Sequence, residues 1–162
     1  MIELLTAPER RAAFSIGAHS THSIFATLSH LEDTYPGFRA WFYGKVGSPH
    51  SREERATFVQ KRNGRICGIA IAKRSFAERK LCTLWVQPEA RTSGIAAELG
   101  AQAFEWLGTR KPLFTVPEER IPEFRTLLNR WDFQVQQTLI GYYRPERAEY
   151  VFNGQLKPNM SA

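Results

Sequence analysis

The residues with most to say about chemistry lie between Leu81 and Leu107, in the run LCTLWVQPEARTSGIAAELGAQAFEWL. The apolar stretch Leu81–Val86 reads as a strand, and Pro88 blocks its continuation. Ile95, Leu99, Ala103 and Leu107 then recur at helical spacing, which predicts a helix from about Ser93 to Gly108. Gly94 stands at its start. The first N–H groups of a helix have no carbonyl of their own to bond and sit at the positive end of the macrodipole. Such a junction receives an anion, a phosphate above all, without a dedicated side chain. Gly94 permits close backbone approach, and Ala96 stays small for the same reason. Arg91, Thr92 and Ser93 add a charge and hydroxyl donors.

Other reactive side chains offer less. Cys67 and Cys82 are the two cysteines, both inside apolar runs, and read as buried, reduced thiols. No histidine adjoins Cys82 to activate it as a nucleophile. His19 and His22 are spaced to share a helix face, but no carboxylate or cysteine nearby completes a ligand set, so no metal is expected. Tyr35, Phe38, Trp41, Phe42 and Tyr43 cluster either as core or as a stacking wall for a planar ligand. The middle of the chain is basic (Arg39, Lys45, Arg52, Arg55, Lys61, Arg62), and the whole carries a net charge of +6. That balance favours anionic partners. It leaves open a nucleic acid such as tRNA or DNA, beside the plainer reading of a solvated basic surface.

The elements that must position these residues fit one domain. A length of 162 residues, 43% of them hydrophobic and 23% charged, suits a globular unit with its own core. We expect a single domain over 1–153 and a flexible tail over 154–162. No run approaches the roughly 18 apolar residues of a membrane span, and the first residues lack the apolar stretch of a secretory leader. The expectation is a cytoplasmic protein with no membrane partner. A short strand over 2–5 and a helix opening at Pro8 begin the chain. Helices follow over 19–31 and 38–45, separated by the turn Tyr35-Pro36-Gly37. Strands are predicted at Ala56–Lys61 and Ile66–Ala72, joined by the hairpin signal Asn63-Gly64, and again at Leu81–Val86 and Leu113–Val116. A last helix runs to about Arg130, and Phe133–Tyr143 pairs with Glu149–Phe152 around Arg144–Arg147. From residue 55 the order is β-β-β-α-β-α-β-β. That order is an α/β chain of the α+β kind, with a central mixed, mostly antiparallel sheet flanked by helices.

The hexapeptide Arg91-Thr92-Ser93-Gly94-Ile95-Ala96 matches the pattern Q/R-x-x-G-x-G/A, and the lead-in Val86-Gln87-Pro88-Glu89-Ala90-Arg91 has the form V-x-P-E-x-R. The strand LFTV, a second helix and Trp131-Asp132-Phe133 follow in order. On these residues the chain resembles the GCN5-related N-acetyltransferase (GNAT) family over roughly residues 55–152. The resemblance implies a GNAT-like acyl-CoA N-acyltransferase fold with acetyl-CoA as co-substrate and an unidentified amine as acceptor. It implies that Leu81–Val86 splays from the parallel strand Leu113–Val116. The pantetheine arm would enter the gap beside the backbone of Leu84, Trp85 and Val86, and a backbone N–H there would polarise the thioester carbonyl. The diphosphate would rest on the amides of Arg91, Thr92, Ser93, Gly94, Ile95 and Ala96. The amine would attack the thioester directly, without a covalent enzyme intermediate.

That chemistry requires a base, and Glu78 is the candidate because it directly precedes the strand lining the site. Family members often supply the acid from a tyrosine where this chain has Leu128, so Tyr142 or Tyr143 is expected to substitute. The acceptor side is expected from residues 19–50 and the last hairpin. Small-molecule or protein amines and aminoacyl-tRNA, the substrate of toxin-like relatives, stay open as acceptors. A non-catalytic CoA-binding or nucleic-acid-associated module is the alternative that Leu128 favours. A homodimer stays open as well.

Overall fold

The computed structural model describes residues 21–48 and 53–157. The strand expected at 2–5, the helix opening at Pro8 and the basic residue Arg52 lie outside the described residues. Helix α1 (Thr21–Leu28) runs into a tight turn over Ser29–Asp33 and buries Ile24, Phe25 and Leu28. Gly37, at φ 85°, reverses the chain before α2 (Phe38–Trp41), which widens into a π turn over Phe42–Val46. The widening has a packing reason. Phe38, Phe42 and Val46 are all buried and spaced by four, a repeat that drifts around a helix of about 3.6 residues per turn. A wider turn cancels the drift and keeps the three in line.

Strands β1 (Arg55–Arg62) and β2 (Arg65–Arg74) form the expected hairpin. Asn63 and Gly64 close it at φ 53° and 74°, the paired left-handed conformation of a type I′ turn. β3 (Arg79–Val86) adds antiparallel to β2. β2 is therefore central, and Cys67 to Ala72 are buried between helices on both faces. Ile69 and Ile71 pack with α1 and α2, whereas Ala70 and Ala72 pack beneath α3 (Ile95–Leu107). Helix α3 meets the end of α4 (Ile121–Arg130) at Gly100, where an added Cβ would sit 2.5 Å from the Trp131 ring. Only glycine allows that contact.

The second half forms its own sheet, in the order β4 (Phe114–Pro117), β6 (Ala148–Phe152), β5 (Val135–Ile140), all antiparallel. The mixed sheet expected from the sequence is thus two three-stranded sheets touching through one parallel contact. There Leu81 N–H donates to the Leu113 carbonyl at 3.0 Å, and Leu113 N–H donates to the Arg79 carbonyl at 2.9 Å. Past this point β3 and β4 separate. The register with β2 shifts so that Cys82 has no partner residue, a bulge that bends β3 away. Pro117 ends β4 without an N–H to offer.

Two details depart from the expected boundaries. Tyr142 and Tyr143 are not in a strand: β5 stops at Ile140, and Gly141 at φ 76° turns the chain into a loop over 141–147. The start of the expected tail packs against β5, with Leu156 N–H on Gln137 Oε1 at 2.9 Å. Among the described residues no helix is long and apolar enough to cross a membrane.

Candidate active site

A cleft of about 440 Å³ opens between β3 and the start of α3, bordered by Val86, Arg91, Thr92, Gly94, Ala97 and Arg130. Gly94 is the residue before the helix and has φ 82°. An added Cβ there would meet nothing within 4 Å, so the glycine answers to backbone conformation and leaves open space beside it. Ile95 is buried and anchors the turn, while Thr92, Ser93 and Gly94 are exposed. The first rung of the helix is Glu98 N–H to the Gly94 carbonyl at 3.1 Å, so the amides of Gly94–Ala97 precede the ladder and face the cleft's end unpaired by it. The side chains depart from the sequence-based picture. The Ser93 hydroxyl donates to the Ala90 carbonyl rather than outward. Arg91 folds back, with Nε on the Val86 carbonyl at 3.1 Å and its guanidinium 2.9 Å from Glu123. Glu123 also takes both prongs of Arg120, each at 3.0 Å. Burial opposes ionisation of Glu123, but the hydrogen bonds and charges of Arg120 and Arg91 prevail and hold its carboxyl below the usual range.

The open edge of β3 forms the floor of this cleft. Gln87 N–H points to β2, where it meets the Cys67 carbonyl at 2.8 Å. Alternation along the strand therefore turns the backbone of Trp85 to β2, its partner there being Ile69. The N–H and C=O groups of Leu84 and Val86 face the opposite, open side. Trp85, expected among the backbone partners of the pantetheine, thus has its own groups engaged, and its side chain lies on the α1 face with His30 at 5.9 Å.

A second cavity, of about 330 Å³, continues from the first: Leu84 and Phe124 line both. Its wall carries Tyr35 and Trp41 from the segment around α2, Glu78, Lys80 and Cys82 near and on β3, Thr115 from β4 and Tyr143 from the last loop. Behind Tyr35 stands Glu149, on β6 and 3% exposed, which accepts the Tyr35 hydroxyl at 3.0 Å. Desolvation raises the Glu149 carboxyl to about 7, against the pull of hydrogen bonds from Tyr35 and Thr115. Burial and that carboxylate together drive the Tyr35 phenol far above its ordinary value. Tyr143 meets Tyr35 edge-on with ring centroids 5.1 Å apart, and its phenol is raised for the same reasons. Burial likewise pushes the Cys82 thiol up.

Of the residues expected to do proton transfer, the structure brings Glu78 and Tyr143 to this cavity. Glu78 is engaged there by Lys73 at 3.0 Å. Tyr142 turns away, its hydroxyl on the Lys157 carbonyl at 3.1 Å. Leu128 is 6% exposed and belongs to the core. Glu149 is absent from the sequence-based candidates, and Tyr35 is among them only as a member of the aromatic cluster. The signal for Glu149 was present: in AEYVF it falls in phase with the buried Val151, a charged residue on the inward side of a short strand.

The sequence matches the family model for the acetyltransferase (GNAT) family over residues 18–118. Solved structures share the fold. An acetyltransferase assigned to the GNAT family from Desulfovibrio desulfuricans superposes at TM-score 0.54 with 18% identity, over 64% of this chain and 70% of that one. The ribosomal-protein-S18-alanine N-acetyltransferase of Escherichia coli gives 0.52 and 17%, over 68% and 76%. A Bacillus anthracis protein described as a streptothricin acetyltransferase, solved with acetyl coenzyme A, gives 0.53 and 13%, over 61% of each chain. No curated protein matches the sequence. With the family pattern covering well over half its length and the two-sheet fold with its splayed strands in place, the chain belongs to the GNAT acetyltransferase family.

Proposed function

We propose that the chain is an acetyl-CoA-dependent N-acetyltransferase in which a bound amine attacks the thioester directly. One observation carries the reading: the cleft at the helix start and the cavity around Tyr35 join at Leu84 and Phe124, against the open edge of β3. A diphosphate would rest on the amides of Gly94, Ile95, Ala96 and Ala97, with Thr92 beside them. A thioester carbonyl would meet the outward N–H of Leu84 or Val86, which would stabilise the negative charge that develops on it.

Glu149, acting through Tyr35, replaces Glu78 as the proposed proton acceptor. Attack needs a neutral amine, so an ammonium must lose one proton. The Tyr35 hydroxyl takes that proton while passing its own to Glu149 Oε1, and the net gain is one proton on the carboxyl. A carboxyl that titrates at about 7 is ionised in a useful fraction at neutral pH and still basic enough to accept. Glu78 carries the weaker case because Lys73 already engages its carboxylate. Tyr143 keeps its proton and is the proposed donor to the departing thiolate. Cys82 lines the same cavity, but burial holds it as a thiol and among the described residues no base touches it, which favours direct attack over a covalent relay.

The test is calorimetric binding of acetyl-CoA, followed by acceptor-dependent release of free CoA thiol across a panel of amines. Binding together with amine-dependent release is expected. A folded protein that does not bind acetyl-CoA would sink the proposal.

A further inference from the structure

The acceptor cavity contains a charge arrangement that acyl transfer alone does not explain. Arg55 on β1 stands opposite Lys73 on β2, and Lys73 stands opposite Lys80 on β3. All three line the cavity and are partly buried. Like charges placed directly across strands repel and destabilise a sheet, and partial desolvation sharpens the conflict. Glu78 answers Lys73 at 3.0 Å. Among the described residues no carboxylate comes within ion-pair distance of Arg55 or Lys80. Arg55 instead lies over the Trp41 ring at 5.6 Å and donates to Cys82 Sγ at 3.8 Å, a weak acceptor. Arg120, a fourth cation on the wall, is already satisfied by Glu123.

We infer that the amine acceptor is a small molecule carrying its own anionic group, a carboxylate or phosphate, which seats on Arg55 and Lys80. The inference rests on the acyl-transfer reading above and names its acceptor. The row of cations fixes the orientation: it repels an ammonium and attracts an anion, so the amine lies at the Tyr35–Glu149 end. A polyamine, cationic at both ends, is disfavoured for the same reason. Trp41 and Phe38 add apolar surface to the lining, and a cavity of about 330 Å³ suits a molecule of amino-acid to dipeptide size.

The protein is first saturated with CoA, which fills the helix-start cleft, and then titrated by calorimetry with matched pairs. The pairs are ω-amino acids of increasing chain length against the corresponding alkylamines, and 2-aminoethyl phosphate against ethanolamine. Carboxylate and phosphate arms separate the two sources of the anion. At least one anion-bearing amine is expected to bind about tenfold or more tighter than its plain partner. In Lys80→Gln that preference should fall to about threefold or less while CoA affinity stays unchanged. Removing one member of the row should also raise Tm, which shows that the variant folds. Equal binding of the pairs, tighter binding of cadaverine, no binding by any anion-bearing amine, or a preference that survives in the Arg55→Gln/Lys80→Gln double variant would each overturn the inference. The titration is repeated without CoA, so the preference is read independently. Failure to bind CoA condemns the acyl-transfer reading, whereas CoA binding without a preference condemns only the acceptor class.

Discussion

The helix-start cleft and the proposed acceptor cavity meet at two residues, yet they are built in opposite ways. The helix start in the cleft is a local object, although α4 lends Glu123 and Arg130 to the lining. Its proposed phosphate-binding groups are backbone amides over residues 94–97, and side chains there mostly serve the protein: Ser93 bonds Ala90, and Arg91 bonds Val86 and Glu123. The cavity is assembled at long range. Tyr35 and Glu149 are 114 positions apart in the chain, and Thr115, Tyr143 and Lys80 come from three further segments. A backbone site depends on chain conformation and is insensitive to most side-chain changes. A side-chain site depends on burial and can be altered by a single atom.

The largest expected effect tests the side-chain half. Glu149→Gln should lower kcat by roughly 10²- to 10³-fold, the usual worth of a placed base, with acetyl-CoA affinity within about twofold. The wild-type kcat should rise with pH and level off above about 7, because the ionised carboxylate is the active form. That limb should vanish in Glu149→Gln and persist in Glu78→Gln. If Glu78→Gln removes it instead, the sequence-based choice of Glu78 is restored. Stability carries the same titration with a definite sign. The folded carboxyl titrates at about 7, above its ordinary value of 4.5, so its neutral form is the one the fold prefers. Wild type should therefore lose stability relative to Glu149→Gln as pH rises from about 4.5 through 7, by on the order of 3 kcal/mol. Equal pH dependence of the two melting curves would contradict the buried setting assigned to Glu149.

The backbone half is tested by Gly94→Asp, which sets a carboxylate beside the proposed phosphate cradle. Acetyl-CoA affinity should fall by about 100-fold. A change below about threefold, in a protein of unaltered circular dichroism, would remove the cradle from residues 94–97. Tyr143→Phe should reduce kcat by about tenfold while leaving acetyl-CoA binding intact; a leaving thiolate that needs no donor would leave kcat unmoved. The smallest effect concerns neither half directly. Gly100→Ala improves helix propensity by about 1 kcal/mol but drives a Cβ to 2.5 Å from the Trp131 ring. Overpacking of about 1–3 kcal/mol should win, lowering Tm by a few degrees in a thermal scan. An increase in Tm would show that Trp131 moves aside freely.

How much of this was legible in the sequence follows from the same contrast. The order of elements from residue 55 could be read, because each rests on signals within a few residues: Asn63-Gly64 for the hairpin, Pro88 for the strand's end, Gly108 at φ 73° for the close of α3. The bulge at Cys82 could not, since it exists only as a mismatch against β2. The placing of Tyr142 and Tyr143 on a strand failed at Gly141, where a run of β-favouring residues is overridden by a turn that lets Tyr143 reach Tyr35. Trp85 was read correctly as part of β3 and wrongly as a free backbone partner, because strand alternation needs one anchoring hydrogen bond to set its phase.

The sequence by itself determined the helix start at Gly94, since local conformation and unpaired amides are properties of contiguous residues, whereas the cleft beside it also needs α4. Tertiary structure alone decided which carboxylate is desolvated and which cations stand in a row. Glu78 and Glu149 are the same residue type on the same chain. Their difference comes from what lies around them: Lys73 and solvent for one, Tyr35 and a closed core for the other. Desolvation and cross-strand register are set by residues far away in the chain, so no window of sequence contains them.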